Sequence, residues 1–186
     1  MTKSSLPPPL CERKLQRVLT ISRVDSIGVI VCASASLAVS LLSENWVFGL
    51  FSALALAAGA MERHGHLQLR DGLIEGLQWL TGAQGCLYTV TIGYVFWRWQ
   101  YFDGAAYWAE IPGPAREQIT AQMVAAGLNP ETDRPLLLQS MNFIICATLF
   151  VVSTLYQGGL AFWYSRQRLA LAEALENPST TSAEER

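Results

Sequence analysis

The chain contains apolar runs close to the ~20 residues that cross a bilayer as a helix. That feature limits its possible folds more than any other. The runs lie at residues 24–42, 46–62, 76–99 and 137–163. At ~1.5 Å rise per residue the first reaches about 28 Å, near the ~30 Å of a hydrocarbon core. Inside that core every backbone N–H and C=O needs an internal partner, so such runs are read as helices. Composition agrees, with only 15% charged residues against about 25% in soluble domains.

The expected fold is therefore all-α: an integral membrane four-helix bundle, up-down-up-down, with an N-terminal interfacial helix and a short extracytoplasmic helix. Residues 10–176 would form the four-span domain, and residues 1–9 and 177–186 would be disordered tails. The tripeptide Pro7-Pro8-Pro9 excludes a helix interior at the start. Leu10, Leu15, Val18 and Leu19 then recur at helical spacing, with Arg13, Lys14 and Arg17 on another face. That pattern suits a basic helix lying on anionic lipid, or a plain extension of the first span. The basic approach is followed by no short apolar segment with a cleavage site, so the first run reads as a retained signal anchor.

Ser43-Glu44-Asn45 is too short to do anything but join two antiparallel neighbours, and Ser43 or Asn45 is suited to cap the second helix. Small residues (Gly28, Cys32, Ser36 and Ser40 on the first run; Gly49, Ser52, Ala53 and Ala57 on the second) favour close backbone approach. The polar stretch 61–78 joins the second and third runs, with a bend expected near Arg70-Asp71-Gly72. On the third run Gln78, Gly82, Gly85 and Thr89 fall on one face, expected to turn inward because an amide facing lipid lacks partners. The third run ends in Trp97, Arg98, Trp99, Tyr101 and Phe102, an interfacial aromatic and basic anchor. The long loop that follows carries one helical segment at 115–126, closed by Gly127. Gly158-Gly159 marks a weak point in the fourth run.

Of the 13 Lys and Arg residues, only Arg98, Arg116 and Arg134 fall on the proposed outer side. The positive-inside rule then puts both termini in the cytoplasm, in a membrane read as a bacterial inner membrane. The net charge of −2 and the lack of a clustered basic face exclude nucleic acid as the expected partner. The expected partners are the lipid bilayer and a homo-oligomer or larger membrane complex.

Two constellations carry possible chemistry. Glu62, His64 and His66 are ligand types for zinc, copper, nickel or iron, although residues two apart point away from each other on a helix. The alternative is a set of interfacial polar residues paired with Arg63, Asp71 or headgroups. The second constellation is a polar intramembrane face of Glu75, Gln78, Gln84 and Gln157, with Asp25 a further candidate. An intramembrane carboxylate is a functional hypothesis by default. The four cysteines, Cys11, Cys32, Cys86 and Cys146, form no CxxC pair and read as reduced packing residues. No GxSxG, P-loop, GxGxxG or HExxH pattern occurs. No cofactor is assigned. The chain reads first as a non-enzymatic accessory or scaffold subunit. The alternatives are an oligomeric channel or transporter subunit, and a metal- or haem-linked membrane enzyme using His64 and His66.

Overall fold

A computed structural model describes residues 10–176, all of whose regular structure is helical. The expected terminal tails lie outside these residues. The elements are α1 (Leu10–Leu42), α2 (Trp46–Arg70), α3 (Gly76–Tyr101), α4 (Gly104–Glu110), α5 (Gly113–Ala125), α6 (Arg134–Ser153) and α7 (Gly159–Glu176), with a π-helical turn at Thr154–Gly158 between the last two. Among the described residues, three segments are long and apolar enough to cross a membrane: Arg13–Leu42, Trp46–Arg70 and Arg134–Arg168. α3 has 26 residues, about 39 Å of helix, but its glycines, glutamines and aromatic residues leave it less apolar than those three.

The described residues divide into two compact units, one of residues 10–90 and 153–176, the other of residues 91–152. In the first, α1 packs along α2 and against α7. Asn45 caps α2 by accepting a hydrogen bond from the Phe48 amide at 3.0 Å. The turn before it makes α1 and α2 an antiparallel hairpin, and its register holds along the whole length. Ser40 lies against Gly49, and Val29 and Ile30 against Gly59. Each step down α1 is matched by an equal step along α2, and small residues let the two backbones close up.

α1 is one continuous helix, so no separate interfacial helix precedes the span. Residues 13–24 contain no Gly or Pro to break it. The apolar stripe at its start has protein to pack against: buried Val18, with Leu15 and Leu19, joins a cluster of Leu69, Leu77, Leu80 and Tyr164. α2 likewise runs through the polar stretch and stops at Arg70. The bend is confined to the residues before Gly76, where Gly72 takes φ +87°, a left-handed value favouring glycine.

Gly65 and Gly76 hold α2 and α3 together at this bend. A Cβ on Gly65 would lie 2.7 Å from the Gly76 carbonyl oxygen, and one on Gly76 would meet the Gly65 oxygen as closely. Neither neighbour is a flexible side chain that can swing away. Gly65→Ala is therefore expected to lose about 1–3 kcal/mol by overpacking, despite the better helix propensity of alanine. Thermal unfolding in detergent checks this: an unchanged or higher Tm would show that the helices separate at no cost.

In the second unit, Asp103 caps α4 by accepting from the Ala105 and Ala106 amides. α4 is an element the sequence did not announce. α5 matches the helical segment expected at 115–126 and closes at Gly127, where φ is +76° and the Leu128 amide donates to the Met123 carbonyl. Met123 is buried and Val124 exposed, so only part of its apolar face packs. The π turn ends at the first of the two adjacent glycines, where a weak point was expected.

Candidate functional site

The hairpin register brings polar residues from α1 and α2 to one level in the first unit. Asp25 lies seventeen positions before Leu42, about 26 Å from the interhelical turn. Glu62 lies sixteen positions after Trp46, at nearly the same depth. The next matched pair is Ser22 and His66.

Gln84 on α3 completes the arrangement. Its side-chain amide donates to Asp25 Oδ2 at 2.7 Å and to Glu62 Oε1 at 3.1 Å. One NH₂ group thus uses both of its protons on two carboxyls. Gln84 and Glu62 are each only 1% exposed, so water has little share in holding the group together. Gln84 thereby bridges the carboxyl groups of Asp25 on α1 and Glu62 on α2. Tyr156, carried by the π turn, donates its hydroxyl to Asp25 Oδ1 at 2.8 Å. The neighbouring Ser22 hydroxyl and His66 Nδ1 are 3.0 Å apart.

Two buried polar atoms here have no hydrogen-bond partner, Gln84 Oε1 and Tyr164 Oη. The Tyr164 hydroxyl is within electrostatic reach of Glu62, Asp25 and Tyr156. Arg63 Nη1 is buried and equally without a hydrogen-bond partner. A carbonyl oxygen left bare beside two carboxyls costs about 1–3 kcal/mol of desolvation. The site therefore contains an acceptor set that is not satisfied from within.

The sequence-derived candidates separate in space. Glu62 belongs to the carboxyl pair. His64 is exposed, 2.9 Å from Gln68 Nε2 and edge-on to Trp79 at 5.0 Å between ring centroids. His66 turns to Ser22 instead. Among the described residues no group of three or more His, Cys, Asp or Glu side chains is placed to hold a metal ion. Gln84 and Gln157 are buried, whereas Glu75 and Gln78 are exposed. Gln157 accepts a short hydrogen bond from Ser153 one turn earlier on its own helix. The face of Gln78, Gly82, Gly85 and Thr89 points outward in the monomer, and Leu77, Leu80, Ala83 and Gln84 point in. Leu77 and Leu80 have Leu69 and Tyr164 to pack on, which decides the rotation of α3.

Of the free cysteines, Cys146 is buried, Cys86 half-buried and Cys32 exposed. Tyr156 and Ser22 were not singled out by the sequence, since isolated hydroxyls on apolar helices carry no pattern of their own. No protein-family model, curated protein or solved structure matches the chain, so the reading of the site rests on its own residues.

Proposed function

We propose that this chain is a four-span integral membrane protein that binds a proton reversibly at the Asp25–Glu62 pair. The carrying observation is the buried Gln84 amide shared by both carboxyls. Two carboxyl groups in one desolvated site are not both ionised without a compensating positive charge. A shared proton supplies it with no further ligands. The titratable groups facing the pair are Tyr156 and Tyr164 on the helical segment after residue 153; Arg23, Arg63 and Arg70 act on the neighbouring His66. In this reading α3 also spans the bilayer, as the third of four spans, both termini are cytoplasmic, and the pair lies toward the cytoplasmic side.

A second reading is favoured by the exposed Gln78, Gly82, Gly85 and Thr89 face, where added Cβ atoms at Gly82 and Gly85 would meet nothing within 4 Å. A polar, small-residue face on a spanning helix suits assembly with another helix, as in an accessory subunit. The two readings are compatible, because that face and the carboxyl pair are on opposite sides of α3.

Infrared difference spectroscopy of the lipid-reconstituted protein tests the first. A pH step is expected to give a carboxylic-acid C=O band that disappears in Glu62→Gln and shifts in Asp25→Asn. The same difference spectrum in wild type and Glu62→Gln would remove the pair as a proton site. Proton flux into proteoliposomes then decides whether binding is coupled to transport.

A further inference from the structure

The second unit, residues 91–152, contains a cavity of about 800 Å³ lined among others by Trp99, Phe102, Leu138, Phe143, Asn142 and Arg134. The geometry points to this cavity as a binding site for one phospholipid with an anionic headgroup, taken from the surrounding bilayer. Its size is within the range of small-molecule sites, roughly 300–1,000 Å³.

The argument starts from charge. Arg98 is half-buried, and its two hydrogen bonds go to neutral groups: Nε donates to Asn142 Oδ1 at 2.7 Å and Nη1 to the Tyr94 hydroxyl at 3.3 Å. Its guanidinium carbon lies 5.6 Å from the Phe102 ring centroid and 5.9 Å from that of Tyr107. Arg134, which lines the cavity, lies over Trp108 at 5.3 Å. Aromatic faces attract a cation but do not neutralise it. Among the described residues neither arginine forms an ion pair; the ion pair present is Arg70–Asp71 in the other unit. Asp133, next in sequence to Arg134, uses its carboxylate on the Asn129 amide and the Thr132 hydroxyl. The cavity-lining Arg134 and the Arg98 behind the lining residue Asn142 thus form no ion pair. Arg134 also opens α6, where the helix dipole adds to the attraction for an anion.

The remaining walls identify what the anion is attached to. Trp99, Leu136, Phe143 and Ile144 line the cavity and are also exposed. A free phosphate or a small carboxylate would leave that apolar surface uncovered. An acyl chain would cover it, and a phosphate ester would sit between Arg134 and the Arg98–Asn142 pair. Amphipathic walls, unpaired cations at one end and an aromatic belt expected at a membrane interface all fit one molecule.

Native mass spectrometry after exchange with equimolar phosphatidylglycerol and phosphatidylcholine of identical chains tests this. Wild type is expected to retain phosphatidylglycerol with about 10-fold preference, a difference of ~1.4 kcal/mol at 25 °C. Arg134→Gln is expected to lower the preference to near unity, and Arg134→Lys to keep most of it. Ser140→Trp, which fills the cavity from an exposed lining position, is expected to lose retained lipid of either kind. Equal retention of the two lipids by wild type would overturn the proposal. So would a preference unchanged in both Arg134→Gln and Ser140→Trp. Displacement by glycerol phosphate as effective as by the whole lipid would show a headgroup-only anion site and overturn it too.

Discussion

Gln84→Leu is expected to destabilise the protein by about 2–4 kcal/mol, the cost of leaving two carboxyl acceptors without their shared donor. Leucine conserves much of the volume, so the loss comes from electrostatics and hydrogen bonding. The variant removes the one donor that serves both Asp25 and Glu62 and leaves Glu62, 1% exposed, beside the half-buried Asp25 carboxyl. The measurement is the midpoint of thermal or denaturant unfolding in a fixed detergent. The decisive control is Gln84→Leu combined with Glu62→Met. An apolar replacement of a buried polar set is often neutral or stabilising, whereas removal of one member is not. The double variant is therefore expected to recover most of the loss. If Gln84→Leu unfolds at the wild-type midpoint, the amide does not bridge the pair and the proposed proton site loses its structural basis. A double variant no more stable than the single one would place the cost in packing around α3.

The first unit was more legible in the sequence than either constellation drawn from it. Three residues between two apolar runs dictate a hairpin, and a hairpin has one register. Carried down from Ser40 and Gly49, that register sets Asp25 beside Glu62 and Ser22 beside His66. Local spacing alone groups Glu62 with His64 and His66, which a helix points in different directions. Gln84, expected on an inward face, is buried in the protein. Gln78, expected to share that face, is exposed, because polarity alone does not say which face has apolar partners at the same level. Leu77 and Leu80 had them, in Leu69 and Tyr164.

Tyr156 was out of reach for a different reason. One π turn inserts an extra residue into the helical repeat and rotates everything beyond it by about 100°. No rule applied to residues 137–163 places that insertion at Thr154–Gly158, although the adjacent glycines marked the neighbourhood. Without the turn, neither the Tyr156 contact with Asp25 nor the burial of Gln157 follows from periodicity.

Tyr164 separates what holds this unit together from what its chemistry needs. The side chain is 0% exposed and packs among Val18, Leu69, Leu77 and Leu80, yet its hydroxyl has no hydrogen-bond partner. Tyr164→Ala is expected to lose about 3–5 kcal/mol, as for other large aromatic side chains deleted from a core. Tyr164→Phe keeps the ring and removes an unsatisfied hydroxyl. It is expected to be neutral or stabilising by up to about 1 kcal/mol. Unfolding midpoints of the two variants check the pair of signs. A loss near 3 kcal/mol in Tyr164→Phe would mean that the hydroxyl has a strong partner in the folded protein. The infrared carboxylic-acid band adds a second readout that packing does not move. If Tyr164→Phe shifts that band while leaving the midpoint in place, the hydroxyl acts on the Asp25–Glu62 pair, within whose electrostatic reach it lies. If the band is unmoved, Tyr164 is a packing residue, and the proton site is confined to Asp25, Glu62, Gln84 and Tyr156.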